Sequence, residues 1–151
     1  MAELKERLRA DLNAAMRARD QVRMRTLRMA LTSITNEEVA GTSARDLTND
    51  EVVRVLTREA RKRREAAEAF SAAGRSEQAA AERAEGDVLA GYLPAQLSDD
   101  ELAALVDAAI AETGASGPSG LGQVMKAVTP RVAGRADGAR VAAEVRRRLS
   151  S

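Results

Sequence analysis

Three glutamates fall where a helix of a small globular protein is expected to carry apolar side chains. At about 100° per residue, Glu59 and Arg63 lie between Leu56 and Phe70, Glu82 and Glu85 line up with Leu89 and Tyr92, and Arg23 lies beside Leu27 and Ile34. Carboxylates gathered in apolar surroundings can work as an acid/base pair, and helical bundles use inward glutamates to hold paired metal ions. The usual ligand set of such a metal site includes His, and this chain has none. Burying a charge is costly unless an opposite charge meets it. Arg23, Glu59, Arg63, Glu82 and Glu85 are therefore expected to form one satisfied ion network. That structural reading is favoured over catalysis, for which Glu59, Glu82 and Glu85 are the candidates. Neither a metal nor a cofactor is expected.

The remaining chemistry is sparse. Without His or Cys the chain cannot build a Ser-His-Asp triad, a thiolate nucleophile or a zinc site with imidazole or thiolate ligands. The run Arg61 to Arg64 suggests a nucleic-acid patch. However, Glu59 with Arg63, Arg61 with Glu65 and Arg64 with Glu68 stand at i,i+4 spacing, which favours a self-paired, solvated face. Arg146, Arg147 and Arg148 are less neutralised and suit the negative end of a terminal helix. Gly114, Gly117, Gly120 and Gly122 with Ser116 and Ser119 lack the Gly-Lys-Ser/Thr ending and the preceding strand of a phosphate loop, so they read as a helix connection.

The elements that must position these groups are helical. The 151 residues are rich in Ala, Leu, Arg and Glu, with one Tyr, one Phe and no Trp, and no segment alternates as a strand would. A first helix is expected over 2–19, with Leu4, Leu8, Leu12, Ala15 and Met16 inward. A second covers 20–40, burying Val22, Leu27, Ala30, Leu31 and Ile34 and stopping at Gly41. Thr48 with Glu51 reads as a capping box opening a long helix that ends at Gly74, and Ser76 as the cap of a fourth that cannot pass Pro94. Ser98 with Glu101 is a second capping box; a sixth helix runs over 121–132 with Pro130 in its last turn and Gly134 after it, and Asp137 caps a seventh. The expectation is an all-α protein, a four-helix bundle over 1–93 followed by a three-helix domain over 94–151, with a joint at 92–97.

Formal net charge is +1 with both signs interspersed, so any nucleic-acid contact must be a local patch. No apolar run approaches the ~20 residues that span a bilayer, residues 1–19 are charged throughout and read as no signal peptide, and the absence of Cys suits a reducing compartment. The cytoplasm is the expected location, with no membrane partner.

Four patches in order, VRMRTLRMALTSITNEE from Val22, RKRREAAEAFSAAGR from Arg61, YLPAQL from Tyr92, and QVMKAV with GRADG between Gln123 and Gly138, resemble the GatB/YqeY family. The resemblance implies two helical bundles, four helices then three. It also implies a C-terminal domain similar to the tail of the GatB subunit of the glutamyl/aspartyl-tRNA amidotransferase, which helps to hold tRNA while the kinase and amidase chemistry lies elsewhere. The matching positions are Gly122, Met125, Lys126, Gly134, Ala136 and Asp137; Gly86, Asp87 and Leu121 depart from the pattern. Among these Lys126 points away from the Leu121 stripe and is the candidate phosphate contact, with Arg131, Arg135 and Arg140 extending it. The implied function is a non-catalytic accessory that meets tRNA or the proteins of tRNA amidation and aminoacylation, under a family label of glutamine-dependent carbon–nitrogen ligase. The alternatives are an amidase component using the three glutamates, or a protein–protein adaptor for a synthetase.

Overall fold

The computed structural model describes residues 2–150 and, among them, holds seven α-helices and no strand. These are α1 (Glu3–Ala18), α2 (Gln21–Glu38), α3 (Asn49–Ala72), α4 (Ser76–Ala90), α5 (Asp99–Thr113), α6 (Leu121–Val132) and α7 (Gly138–Leu149), with a 3₁₀ turn at Pro118–Gly120. Among the described residues no helix is long and apolar enough to cross a membrane. The chain divides into two compact units, Met1–Leu93 and Pro94–Ser151.

In the first unit the helical stripes close on Leu8, Leu27, Ile34, Leu56 and Leu89, all fully buried. Here α3 packs most extensively on α4 and α1 on α2, while α2 also meets α3 and α4. Leu47, before α3, and Tyr92, after α4, seal the same core. The stripe of α1 differs from its expected form at both ends. Met16 is 46% exposed, while Lys5, in line with Leu8 and Leu12, is buried. Lys5 can enter because its Nζ lies 2.8 and 2.9 Å from the two carboxylate oxygens of Glu38 at the end of α2.

The second unit has its own core of Leu97, Leu102, Val106, Val124, Val128 and Val145, to which α5, α6 and α7 each contribute. The segment ahead of α5 is tied into this unit: the Leu97 N–H donates to the Arg135 carbonyl at 2.8 Å and Arg135 Nε donates to the Ala95 carbonyl at 3.0 Å. Pro130 sits inside α6 and has no N–H to offer the Lys126 carbonyl, yet the helix continues to Val132, whose side chain is buried. Its end falls one residue before the expected Gly134, on Ala133 with φ 49°.

The helix starts follow local chemistry. Both capping boxes form, Thr48 with Glu51 and Ser98 with Glu101, and Asp137 accepts from the Arg140 N–H. The Arg45 guanidinium, hydrogen-bonded to Glu51, holds that carboxyl down to about 2, so the capping acid stays ionised. Ser76, however, caps nothing: it is the first residue of α4 and the N-cap is Arg75. The reason is the close of α3, where Gly74 turns left-handed at φ 75°, its N–H donates to the Ser71 carbonyl, and the Arg75 N–H donates to Phe70 at 2.8 Å. With Arg75 placed by this Schellman closure, its carbonyl accepts the first bond of α4, from the Ala79 N–H at 3.0 Å, so Ser76 falls inside the helix rather than at its cap.

Gly86 lies inside α4, where Gly costs about 1 kcal/mol against Ala. A Cβ there would meet Arg63 Cβ at 3.7 Å, an ordinary contact. Gly86→Ala is expected to stabilise the protein by about 0.5–1 kcal/mol, read as a higher urea midpoint at unchanged m.

Candidate functional site

The three glutamates that the helical stripes turn inward meet around one guanidinium. Arg63 of α3 reaches Glu59 on its own helix at 3.4 Å, Glu82 of α4 at 3.4 Å and Glu85 of α4 at 3.5 Å. Glu59 and Glu85 are buried, whereas Glu82 and Arg63 keep some access to solvent. Every carboxylate has further partners or solvent: Ser33 Oγ donates to Glu59 at 3.1 Å, Lys62 Nζ lies 3.4 Å from it, and Arg25 Nε donates to Glu85 at 2.7 Å. One polar atom is left over, the buried Arg63 Nε, which has no acceptor among the described residues. Among the described residues no group of three or more His, Cys, Asp or Glu could hold a metal ion, because cations stand between these acids.

Arg23 is not part of this cluster. Its Nη2 lies 3.3 Å from the Tyr92 hydroxyl, which donates to Asp11 at 2.5 Å, while the Arg7 guanidinium sits 4.6 Å from the Tyr92 ring centre. Burial, and then the hydrogen bond to Asp11, push the Tyr92 hydroxyl up to about 12, so it remains a neutral donor. The place expected for Arg23 is taken by Arg25. Positions two apart on a helix differ by about 200°, so the rotation of α2 against α4 decides which of them meets Glu85. Arg25 and Ser33 share one side of α2 at a spacing of eight, a signal that becomes readable only once that rotation is known.

In the second unit the four candidate phosphate contacts separate into two kinds. Lys126 is exposed on α6 and makes no ion pair with a described residue. The three arginines are each engaged by an acid of α5: Arg131 pairs with Glu112, Arg135 lies 3.9 Å from Glu101, and Arg140 lies 2.9 Å from Asp99. Of the terminal arginines, Arg147 and Arg148 bind Glu144 at 2.6 and 3.0 Å, which holds the Glu144 carboxyl below its usual range, whereas Arg146 is exposed. Arg146 was not among the expected contacts, although its position in a basic run with one nearby acid could have raised it.

The glycine-rich connection between α5 and α6 is closely packed at Gly120, which is buried. A Cβ on Gly120 would lie 2.9 Å from Ala115 Cβ, so the absence of a side chain there is a steric requirement.

Against known proteins, a family model described as Yqey-like protein matches residues 5–149, nearly the whole chain. No curated protein matches it.

Proposed function

The chain belongs to the Yqey-like protein family, and from that premise we propose that it is a tRNA-interacting accessory protein related to the tRNA-dependent amidotransferase, without catalysis of its own. On this reading residues 1–93 are a four-helix bundle that serves as scaffold, and 94–151 are a tail-like domain that meets the RNA in the cytoplasm. The carbon–nitrogen ligase label then describes the company the protein keeps rather than a reaction it performs.

The observation that carries the proposal is Lys126, an exposed ammonium on α6 with no carboxylate of the described residues to neutralise it. A cation of this kind gains by meeting phosphate, because the contact releases counterions and no internal pair has to be broken. Arg146, exposed on α7, adds a second such charge. The state of Glu59, Glu82 and Glu85 supports the non-catalytic reading, since none is free of a guanidinium.

The test is binding of a tRNA pool to the full chain at several salt concentrations. Affinity is expected to fall linearly on a log–log plot, and Lys126→Ala is expected to weaken binding and flatten the slope by about one. No binding, binding without a salt slope, or an unaffected Lys126→Ala variant would each count against the proposal.

A further inference from the structure

The second unit is polarised in charge. Helix α5 carries Asp99, Asp100, Glu101, Asp107 and Glu112 with no base, while residues 121–149 hold seven cations against two acids. Four of the α5 acids each reach a different arginine: Asp99 to Arg140 at 2.9 Å, Glu101 to Arg135 at 3.9 Å, Asp107 to Arg148 at 3.2 Å, and Glu112 to Arg131. Asp100 pairs with no described residue. The acids face solvent, with side chains 99% exposed at Asp99 and 61% at Glu112, so water and ions reach these pairs.

We infer that α5 is a built-in competitor for phosphate, its carboxylates occupying the arginines that an RNA backbone would otherwise engage. The inference rests on the reading that this unit binds tRNA. A guanidinium already paired must exchange a carboxylate for a phosphate. It therefore contributes less to affinity than a bare cation such as Lys126, and it contributes little to the salt slope. An exposed pair of this kind lowers phosphate affinity by about 1.4- to 5-fold. The exchange remains possible because the pairs are solvent-facing and hold no buried charge. The consequence is that RNA phosphates meet Lys126 and Arg146, while Arg131, Arg135 and Arg140 stay with their α5 acids until those acids are neutralised.

The alternative is a general field effect, in which any acid on this unit repels RNA, and the molecule contains the control. Asp99 and Asp100 are neighbours in the first turn of α5, carry the same charge and interact alike with the helix N-terminus, but only Asp99 pairs with an arginine. With the full chain and a tRNA pool between about 50 and 200 mM salt, Asp99→Asn and Glu112→Gln are each expected to tighten binding about 1.4- to 5-fold and to steepen the slope by just under one. Asp100→Asn is expected to tighten it less and leave the slope unchanged. Equal effects of Asp99→Asn and Asp100→Asn, or no effect of either Asp99→Asn or Glu112→Gln on a wild-type chain that binds, would overturn the competition and leave tRNA binding standing. Binding by neither the wild type nor the variants would instead overturn the tRNA reading itself. Should the acid variants fold poorly, Arg140→Gln in the native background decides. Affinity is expected to change little, because Asp99 already engages Arg140, and a loss as large as that of Lys126→Ala overturns the proposal.

Discussion

Replacing Arg63 with Met is expected to destabilise the protein by about 3 kcal/mol, because one guanidinium answers for three glutamates. Glu59, with its side chain 6% exposed, would keep Ser33 and Lys62, and Glu85 would keep Arg25, but Glu82 would lose its ion-pair partner and the acids would repel one another across α3 and α4. The estimate sits at the low end of what breaking a buried pair costs, since Arg63 and Glu82 retain 23% and 20% side-chain exposure. Met keeps most of the aliphatic stem that packs between the helices, so the loss reports charge rather than a cavity. Urea unfolding with m unchanged is the measurement. A loss below about 1 kcal/mol would mean that the acids do not depend on Arg63, and would reopen a role for them in chemistry.

A second large effect is expected at the other end of the same unit. Lys5→Met should cost about 2–3 kcal/mol at neutral pH, because it strands the Glu38 carboxylate near the C-terminus of α2, where the helix dipole is already negative. Glu38 keeps the weak Leu47 N–H donor at 3.4 Å and the coulombic pull of Arg9, which hold the cost to this range. The ion pair also makes a pH signature. The hydrogen bond from Lys5 holds the Glu38 carboxyl below its ordinary range in the folded protein. Its contribution is therefore present above the unfolded value of about 4.3 and is lost as pH falls through the depressed folded value. Lys5→Met lacks that contribution, and protonation relieves its stranded charge. The stability gap between wild type and variant should be widest near neutrality and should narrow on acidification below about pH 4.5. A gap that stays constant from neutral pH to about pH 3 would show that Glu38 is not the group Lys5 serves. Adding Glu38→Gln to Lys5→Met should recover much of the loss, since it removes the charge while leaving an oxygen for Leu47.

The two ion clusters show how far local reading reaches. That Glu59, Arg63, Glu82 and Glu85 share the inward faces of α3 and α4 follows from their spacing with Leu56 and Leu89, and these four side chains meet. Lys5 carried the same signal, three and seven positions before Leu8 and Leu12, but a lysine is readily assigned to solvent. Its partner Glu38 lies 33 residues away on another helix. The α5 acids that engage Arg131, Arg135 and Arg140 were likewise out of reach, the last pair being separated by 41 positions.

What the sequence determined by itself is what acts within one helical turn or one apolar stripe. The all-helical character follows from composition and period, and the starts of α3, α5 and α7 follow from side chains that bond the backbone three residues on. Ser76 marks the limit of that logic, because α4 takes its first bond on the Arg75 carbonyl, which leaves Ser76 one position past the cap. Only the tertiary structure decided that Arg25 rather than Arg23 faces Glu85, that Arg23 instead joins Tyr92, and that Lys126 stands uncovered while its neighbouring arginines are occupied. The physical reason is the same in each case. A long charged side chain can satisfy itself with several partners, and which one it takes depends on how packed helices are rotated against one another, a quantity set by the whole core.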